Sequence, residues 1–171
     1  MYEYPPDRNW LYIGDMIVGL ELPNLKAEHF RLVPQNDPDA KPYLVRSMMS
    51  NDFFVYLSHE CDCSDDKRQY FIITPMISID MGIRRNSEAF NRLIESNDVS
   101  SHPHYLNHFY FSNFQSIFQE DKIIDFTRVI SVPTGHKDFL LKRKILQLDV
   151  KTRTLLKTKI AYYFAHERNG K

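Results

Sequence analysis

The chain contains few glycines and few cysteines. Five glycines among 171 residues, beside 12 Phe and 10 Tyr, argue against disorder or low complexity. The two cysteines, Cys61 and Cys63, are one residue apart, and a bridge between such close positions would be badly strained. A structural disulfide framework is therefore excluded, and we expect a single domain, 1–171, around one hydrophobic core.

Long apolar runs are also missing. No stretch approaches the roughly 20 apolar residues that a membrane helix requires. The opening MYEYPPDRNW contains acids and prolines, whereas a signal peptide has a basic segment followed by an apolar one. We expect a cytoplasmic protein without a membrane partner, and no cofactor is needed to explain its folding.

The net charge is zero, but the charges are unevenly distributed. Residues 137–171 contain ten Lys or Arg and three acids, a net charge of plus seven, which leaves minus seven for the remaining chain. Such asymmetry can mark an anionic partner such as nucleic acid, or it can reflect the solvated faces of two helices. The residues expected on a docking surface are Lys142, Arg143, Lys151, Arg153 and Lys157.

Strand patterns dominate the first part of the sequence and helical patterns the last. The alternation predicts a strand over 10–22 with a bend at Gly14 and Asp15. Further strands are predicted over 30–34, 42–48, 53–59, 69–79, 105–114 and 122–132. Helices are predicted over 84–96, 139–147 and 149–164.

These elements predict an α+β fold, with a β-rich barrel over 1–135 and a helical basic C-terminus over 137–168. Asp138 and Asp149 are the expected N-caps of the last two helices. In the last helix the apolar stripe packs inward, and the pattern leaves Lys159 mostly exposed.

The run FFVYLSHECDC, residues 53–63, is the most unusual segment. Strand periodicity continues its apolar face into His59, Cys61 and Cys63. His59 could activate Cys61 as a nucleophile, but the neighbouring acids raise a thiol pKa. We favour a structural role, in which Cys61 plugs the barrel end and Asp62 accepts backbone N–H bonds.

A metal site is the alternative for the same segment. Cys61 and Cys63 with His102 and His104 offer four ligands that would suit zinc, and His108 offers a further imidazole. The C-x-C spacing differs from the usual C-x2-C knuckle.

Arg128, in the segment DFTRV, falls in the middle of a predicted strand. An arginine there is costly to bury unpaired, so a carboxylate partner is expected, either Asp62 or Asp125. If Arg128 pairs with Asp62, the cysteine segment and this strand form one polar cluster, which would be a ligand pocket or a lock on the fold, of which the lock is favoured.

Three strand segments resemble a known family. GDMIVGLELP at 14–23, FFVYLS at 53–58 and FIITPMIS at 71–78 are similar in order to the strands of the PemK/MazF family of toxin endoribonucleases. The resemblance implies a small SH3-like barrel with a C-terminal helix.

The chain departs from that family at the catalytic positions. The family's Arg-Pro pair, whose Arg stabilises the scissile phosphate, corresponds to Asp52 and Phe53. A carboxylate repels the phosphate, and loss of a preorganised donor alone costs about 2.7–4 kcal/mol of barrier. The family's Thr-Ser pair corresponds to Ile77 and Ser78.

A second resemblance covers most of the chain from Phe53 onward. The strand end S-H-x-C-D at 58–62, DFTRVISVP at 125–133 and the tail KILQLDVKTRTLLKTKIAYYF are similar to a group of small bacterial proteins. Those proteins are associated with mobile or defence-related gene neighbourhoods. This resemblance implies a family without an established activity.

Together these patterns predict a non-catalytic barrel that binds a protein, RNA or DNA through its basic C-terminal helices. The expected setting is a bacterial defence, toxin–antitoxin or mobile-element system, and a homodimer is left open. The alternative is a toxin-type endoribonuclease with relocated catalytic groups. The residues to test would then be His59, Ser78, Arg128 and Arg46.

Overall fold

A computed structural model describes residues 1–20, 31–32, 43–44, 53–58, 69–79, 88–100 and 105–169. Its strands are β1 Tyr2–Glu3, β2 Met16–Val18, β3 Arg31–Leu32, β4 Tyr43–Leu44, β5 Phe53–Tyr56, β6 Tyr70–Ser78, β7 His108–Phe111, β8 Lys122–Asp125, β9 Ile130–Pro133 and β10 Lys144–Leu148. The α-helices are α1 Glu88–Glu95, α2 Lys137–Arg143 and α3 Val150–Asn169. A short 3-10 turn, Thr134–His136, precedes α2.

Eight strands form one antiparallel sheet in the order β1-β10-β2-β5-β6-β8-β7, with β9 also pairing with β6. The sheet curls into a half-barrel, and β3 pairs with β4 in a separate two-stranded sheet. The predicted α+β class is confirmed, and the predicted strands over 53–59 and 69–79 contain β5 and β6.

The sheet is buried on both faces. Met16 and Val55 belong to one core cluster, into which Leu156 of α3 packs. Their chain neighbours Ile17 and Phe54 point to the other face, into a second cluster that Leu140 of α2 completes. The two helices therefore cover opposite faces, which explains why the strands read as continuous apolar runs.

The predicted bend before β2 is confirmed at Gly14. Its φ of +91° is a conformation that side-chain-bearing residues rarely adopt, and a Cβ there would lie 2.4 Å from Leu148 Cδ1. The strand β2 itself is shorter than the predicted 10–22 and starts only at Met16, after this turn.

The predicted strand over 122–132 is two strands, β8 and β9, joined by a turn. The Asp125 carboxylate accepts hydrogen bonds from Thr127 N at 2.9 Å and Thr127 Oγ1 at 2.7 Å, as in an Asx-turn. The hydroxyl of Thr74 on β6 donates to the carbonyls of Asp125 and Arg128, both at 3.1 Å. The prediction was wrong because this local turn chemistry outweighs the β-propensity of the segment.

The predicted helix over 139–147 was also wrong in its second half. The helix α2 ends at Arg143, and Lys144–Leu148 form β10 between β1 and β2. The predicted helical C-terminus thus holds a strand of the sheet. Asp138 lies inside the first turn of α2, whose N-cap is His136, so it is not the N-cap.

The predicted N-cap of α3 is confirmed. The Asp149 carboxylate accepts a hydrogen bond from Thr152 N at 2.7 Å and pairs with the Met1 ammonium group at 2.7 Å. The hydrogen bond from the Met1 ammonium lowers the pKa of Asp149 to about 2.

Lys159 of α3 is fully buried, contrary to the predicted exposure. Its ammonium group donates to the carbonyl of Ser96 and to Ser96 Oγ, the latter at 3.0 Å, at the end of α1. Among the described residues no carboxylate lies within ion-pair distance, and burial lowers its pKa to about 7. The long helix α3 thus contacts the residue that follows α1 through a buried amine.

We expect Lys159→Met to change how stability depends on pH. The unfolded amine keeps its proton up to its ordinary pKa of 10.5, whereas the folded amine loses it near 7. The unfolded state therefore binds more protons between these values, and wild-type stability gains up to about 1.4 kcal/mol per pH unit from this group as pH rises. Urea unfolding of the variant should lack that gain.

The matched control is Lys151→Met, which changes an exposed lysine of the same helix. This control should keep the wild-type profile. Parallel pH profiles for wild type and Lys159→Met would contradict the role of the buried amine.

Candidate nucleic-acid interface

A groove of about 720 Å³ opens between the N-terminal segment and the start of β5. Two aromatic side chains, Tyr4 and Phe53, line it together with prolines and aliphatic residues. Arg8 is the charged residue of the lining. The groove is thus largely apolar with a cationic side chain, as ligand sites often are.

Aromatic packing holds the two groove rings in place. Tyr4 contacts Phe114 with 6.0 Å between ring centroids, and Phe53 contacts Phe118 at 5.6 Å. Phe114 and Phe118 are joined by an isolated β-bridge, so they form one fixed support. Both groove rings therefore rest on the same short segment.

A second cation lies beside the groove. Lys122 of β8 places its Nζ 5.3 Å from the centroid of the Phe53 ring, within cation–π range. The same Nζ donates to Ser78 Oγ at 3.0 Å. Ser78, a predicted catalytic candidate, thus anchors a lysine over a groove ring.

Cations of α2 also lie over aromatic rings. Lys137 Nζ lies 5.4 Å from the ring centroid of Trp10, which is 48% exposed. The Arg143 guanidinium lies 4.9 Å from the ring of Phe139 one turn earlier. Lys142 is exposed beside them.

The α2 face and the groove come close at the end of β2, although Phe53 and Ile145 of the groove pack on the α3 side of the sheet and Phe139 of α2 packs on the other side. A Cβ at Gly19 would lie 2.5 Å from Arg143 Nη1, so Arg143 packs directly against the residue that follows Val18 of the groove. We call the groove and the α2 face together the basic-aromatic surface. Its cations are Arg8, Lys122, Lys137, Lys142 and Arg143; the acids beside them in the chain are Asp7, Glu120, Asp121 and Asp138.

A buried ion pair positions this surface. Lys144 Nζ and Asp15 Oδ2 are 2.7 Å apart, and both side chains are completely inaccessible. Lys144 also donates to the carbonyl of Trp10 at 3.0 Å, and Tyr12 N donates to Asp15 Oδ2 at 2.7 Å. Burial raises the pKa of Asp15 to about 6, although the Lys144 charge acts to lower it. The pair fixes both Trp10 and the end of α2.

The five predicted docking residues do not form one surface. Lys142 and Arg143 lie on α2, whereas the other three lie on α3, which covers the opposite face of the sheet. Arg153 donates to the Leu148 carbonyl at 2.9 Å and lies 4.4 Å from the Tyr12 ring, so it serves the fold. Lys151 is exposed and Lys157 half-buried.

The predicted catalytic residues within the described chain are apart. Arg128 lies in the β8–β9 turn with a 65% exposed side chain, and its Nε is 3.7 Å from Asp125 Oδ2, which confirms the expected Asp125 partner. Thr74 contacts this turn, and Ser78 is four residues further along β6, about 13 Å away at ~3.3 Å per residue.

The remaining predicted site residues lie outside the described residues. They are Arg46, Asp52, His59, Cys61, Asp62, Cys63, His102 and His104. Within the described ranges, no group of three or more His, Cys, Asp or Glu is arranged to hold a metal ion.

His108 is not placed to act as a general base at the Asp125 turn. Its Nε2 faces Asp125 Oδ2 at 3.9 Å, and its Nδ1 is buried without a hydrogen-bond partner among the described residues. Burial lowers the pKa of the imidazole. A general base needs a nitrogen that reaches the substrate, and here one faces a carboxylate and the other is enclosed.

Two comparisons with known proteins found no match. No protein-family model matches the chain, and no curated protein matches it. In the part of the chain that the structure describes, no helix has the length and apolar character to cross a membrane.

Sequence reasoning missed the groove. Its residues come from widely separated segments, at 4–8, 18, 53, 116–117 and 145, which only the folded chain brings together. The one local signal was the density of aromatic, proline and arginine residues in MYEYPPDRNW.

We expect Lys144→Met to lower the free energy of unfolding by about 3–5 kcal/mol, because it leaves the Asp15 carboxylate buried without its partner. The double variant Asp15→Leu with Lys144→Met should recover part of this loss. Urea unfolding near pH 7 measures both.

Lys142→Met is the matched control, since Lys142 is exposed two residues away. Its effect should stay within about 0.5 kcal/mol. A Lys144→Met protein as stable as this control would show that the ion pair is not needed.

Proposed function

We propose that the protein is a non-catalytic binding protein that takes up single-stranded nucleic acid on the basic-aromatic surface. The observation that carries this proposal is the pairing of cations with aromatic rings beside α2, Lys137 with the exposed ring of Trp10 and Arg143 with the partly buried ring of Phe139. RNA is the preferred class because of the resemblance to the toxin endoribonucleases.

The chemistry of the surface fits a single strand better than a duplex. Lys and Arg contact phosphates, whereas exposed rings stack on bases, each base contributing about 1–3 kcal/mol. Only unpaired bases can leave their own stack to reach a protein ring. A duplex would use the cations and leave Trp10 and the groove rings without a role.

The finer fold assignment belongs to the same proposal. We propose that the half-barrel is of the SH3-like, PemK/MazF type and acts in a bacterial toxin, defence or mobile-element system. The antiparallel curled sheet followed by a long terminal helix, α3, supports the assignment. So does the strand order of the resemblance.

The endoribonuclease alternative stays a prediction that is not favoured. Ser78 and Arg128 lie near different ends of the β6–β8 pairing, and His108 Nδ1 is buried within the described part of the chain. The binding experiment below also tests it, since RNA recovered after incubation would be shortened if the protein cleaved it.

We expect wild-type protein to bind a fluorescent single-stranded RNA with an affinity that falls steeply as salt rises. Each phosphate contact contributes about 0.7 to the slope of log affinity against log salt. Lys142→Gln removes an exposed cation of α2 and should weaken binding and lower the slope by about 0.7. Fluorescence anisotropy measures both quantities.

The matched control is Lys151→Gln, which changes an exposed lysine in the first turn of α3, on the other side of the sheet from α2. It should leave affinity and slope unchanged. Equal effects of the two variants would place the contact elsewhere, and a flat salt response would remove nucleic acid as the partner.

A further inference from the structure

We infer that the groove between Tyr4 and Phe53 is a base-binding subsite, which takes an unpaired nucleobase of the bound strand while Arg8 and Lys122 contact its flanking phosphates. The inference rests on the proposed function and specifies that a base of the bound strand enters the groove.

The size and lining of the groove fit a flat, partly apolar ligand. Its volume of about 720 Å³ lies within the roughly 300–1,000 Å³ typical of small-molecule sites. Val18, Ile117 and Ile145 supply aliphatic walls, and Ser116 supplies a hydroxyl. Such a lining buries the faces of a heterocycle and leaves a hydrogen-bonding group for its edge.

Two cationic side chains at the groove can contact the phosphates of a nucleic-acid strand. Arg8 lines the groove, and Lys122 lies over the Phe53 ring. Acids adjoin both cations in the chain: Asp7 accepts a hydrogen bond from Asn9 N at 2.9 Å, Asp121 accepts one from Asn113 N at 2.8 Å, and Glu120 is exposed. The groove therefore presents cations and aromatic rings together, which is the combination that a nucleotide requires.

The site is preformed, which lowers the entropic cost of binding. Tyr4 and Phe53 are held by Phe114 and Phe118, and Lys122 is held by Ser78 Oγ. Rings and a cation that are already in place lose little freedom when a base arrives.

The test compares an intact single-stranded RNA with an abasic strand of the same length and backbone. Wild-type protein should bind the intact strand more tightly, by about tenfold or more. Tyr4→Leu should remove most of that difference and leave the affinity for the abasic strand unchanged. Tyr4 is 63% exposed, so its replacement should leave the fold intact.

A second measurement reports stacking directly. An RNA that carries one 2-aminopurine base should lose fluorescence when wild-type protein binds it, because the base stacks on a ring. Tyr4→Leu and Phe53→Leu should both reduce this quenching. Tyr70→Leu, which changes an exposed tyrosine of β6, is the matched control and should behave like wild type.

The outcomes separate the two proposals. Equal, salt-dependent binding of intact and abasic strands would overturn the base subsite and leave the proposed function standing. Absence of binding to either strand would overturn both. An intact-strand preference that survives in Tyr4→Leu and Phe53→Leu would assign base recognition to another part of the surface.

Discussion

The ion pair between Asp15 and Lys144 is the contact on which the surrounding architecture depends. It joins the turn before β2 to the first residue of β10, and these two strands are neighbours in the sheet. Lys144 also donates a hydrogen bond to the carbonyl of Trp10. The buried ammonium group therefore helps to position the exposed ring of Trp10. A completely buried ion pair thus helps to position the surface that we assign to ligand binding.

Much of the fold follows from local sequence patterns. The strands β5 and β6, the Gly14 bend and the Asp149 cap are visible in periodicity, backbone freedom and side-chain chemistry. The segment Lys144–Leu148 is different, because its neighbours on both sides, β1 and β2, lie far away in the chain. A short apolar run gives no sign of partners more than 100 residues distant, and so it was assigned to a helix.

The candidate site was less predictable than the fold. Charge counting located a basic C-terminal unit, but it could not show that Lys144 and Lys159 are interior groups or that α2 and α3 face opposite ways. The helical period of α3 predicted that Lys159 faces solvent, whereas its ammonium group is buried against Ser96, the residue after α1. Grooves assembled from five separate chain segments leave no spacing that a linear pattern could reveal.

The position of β10 between β1 and β2 has a consequence for synthesis on the ribosome. The earlier strands can pair among themselves, but both covering helices and the strand that links β1 to β2 come from residues 137–169. Until that part emerges, two apolar faces remain without cover, a state prone to aggregation. Completion of the sheet thus waits for residues 137–169 and depends on long-range contacts.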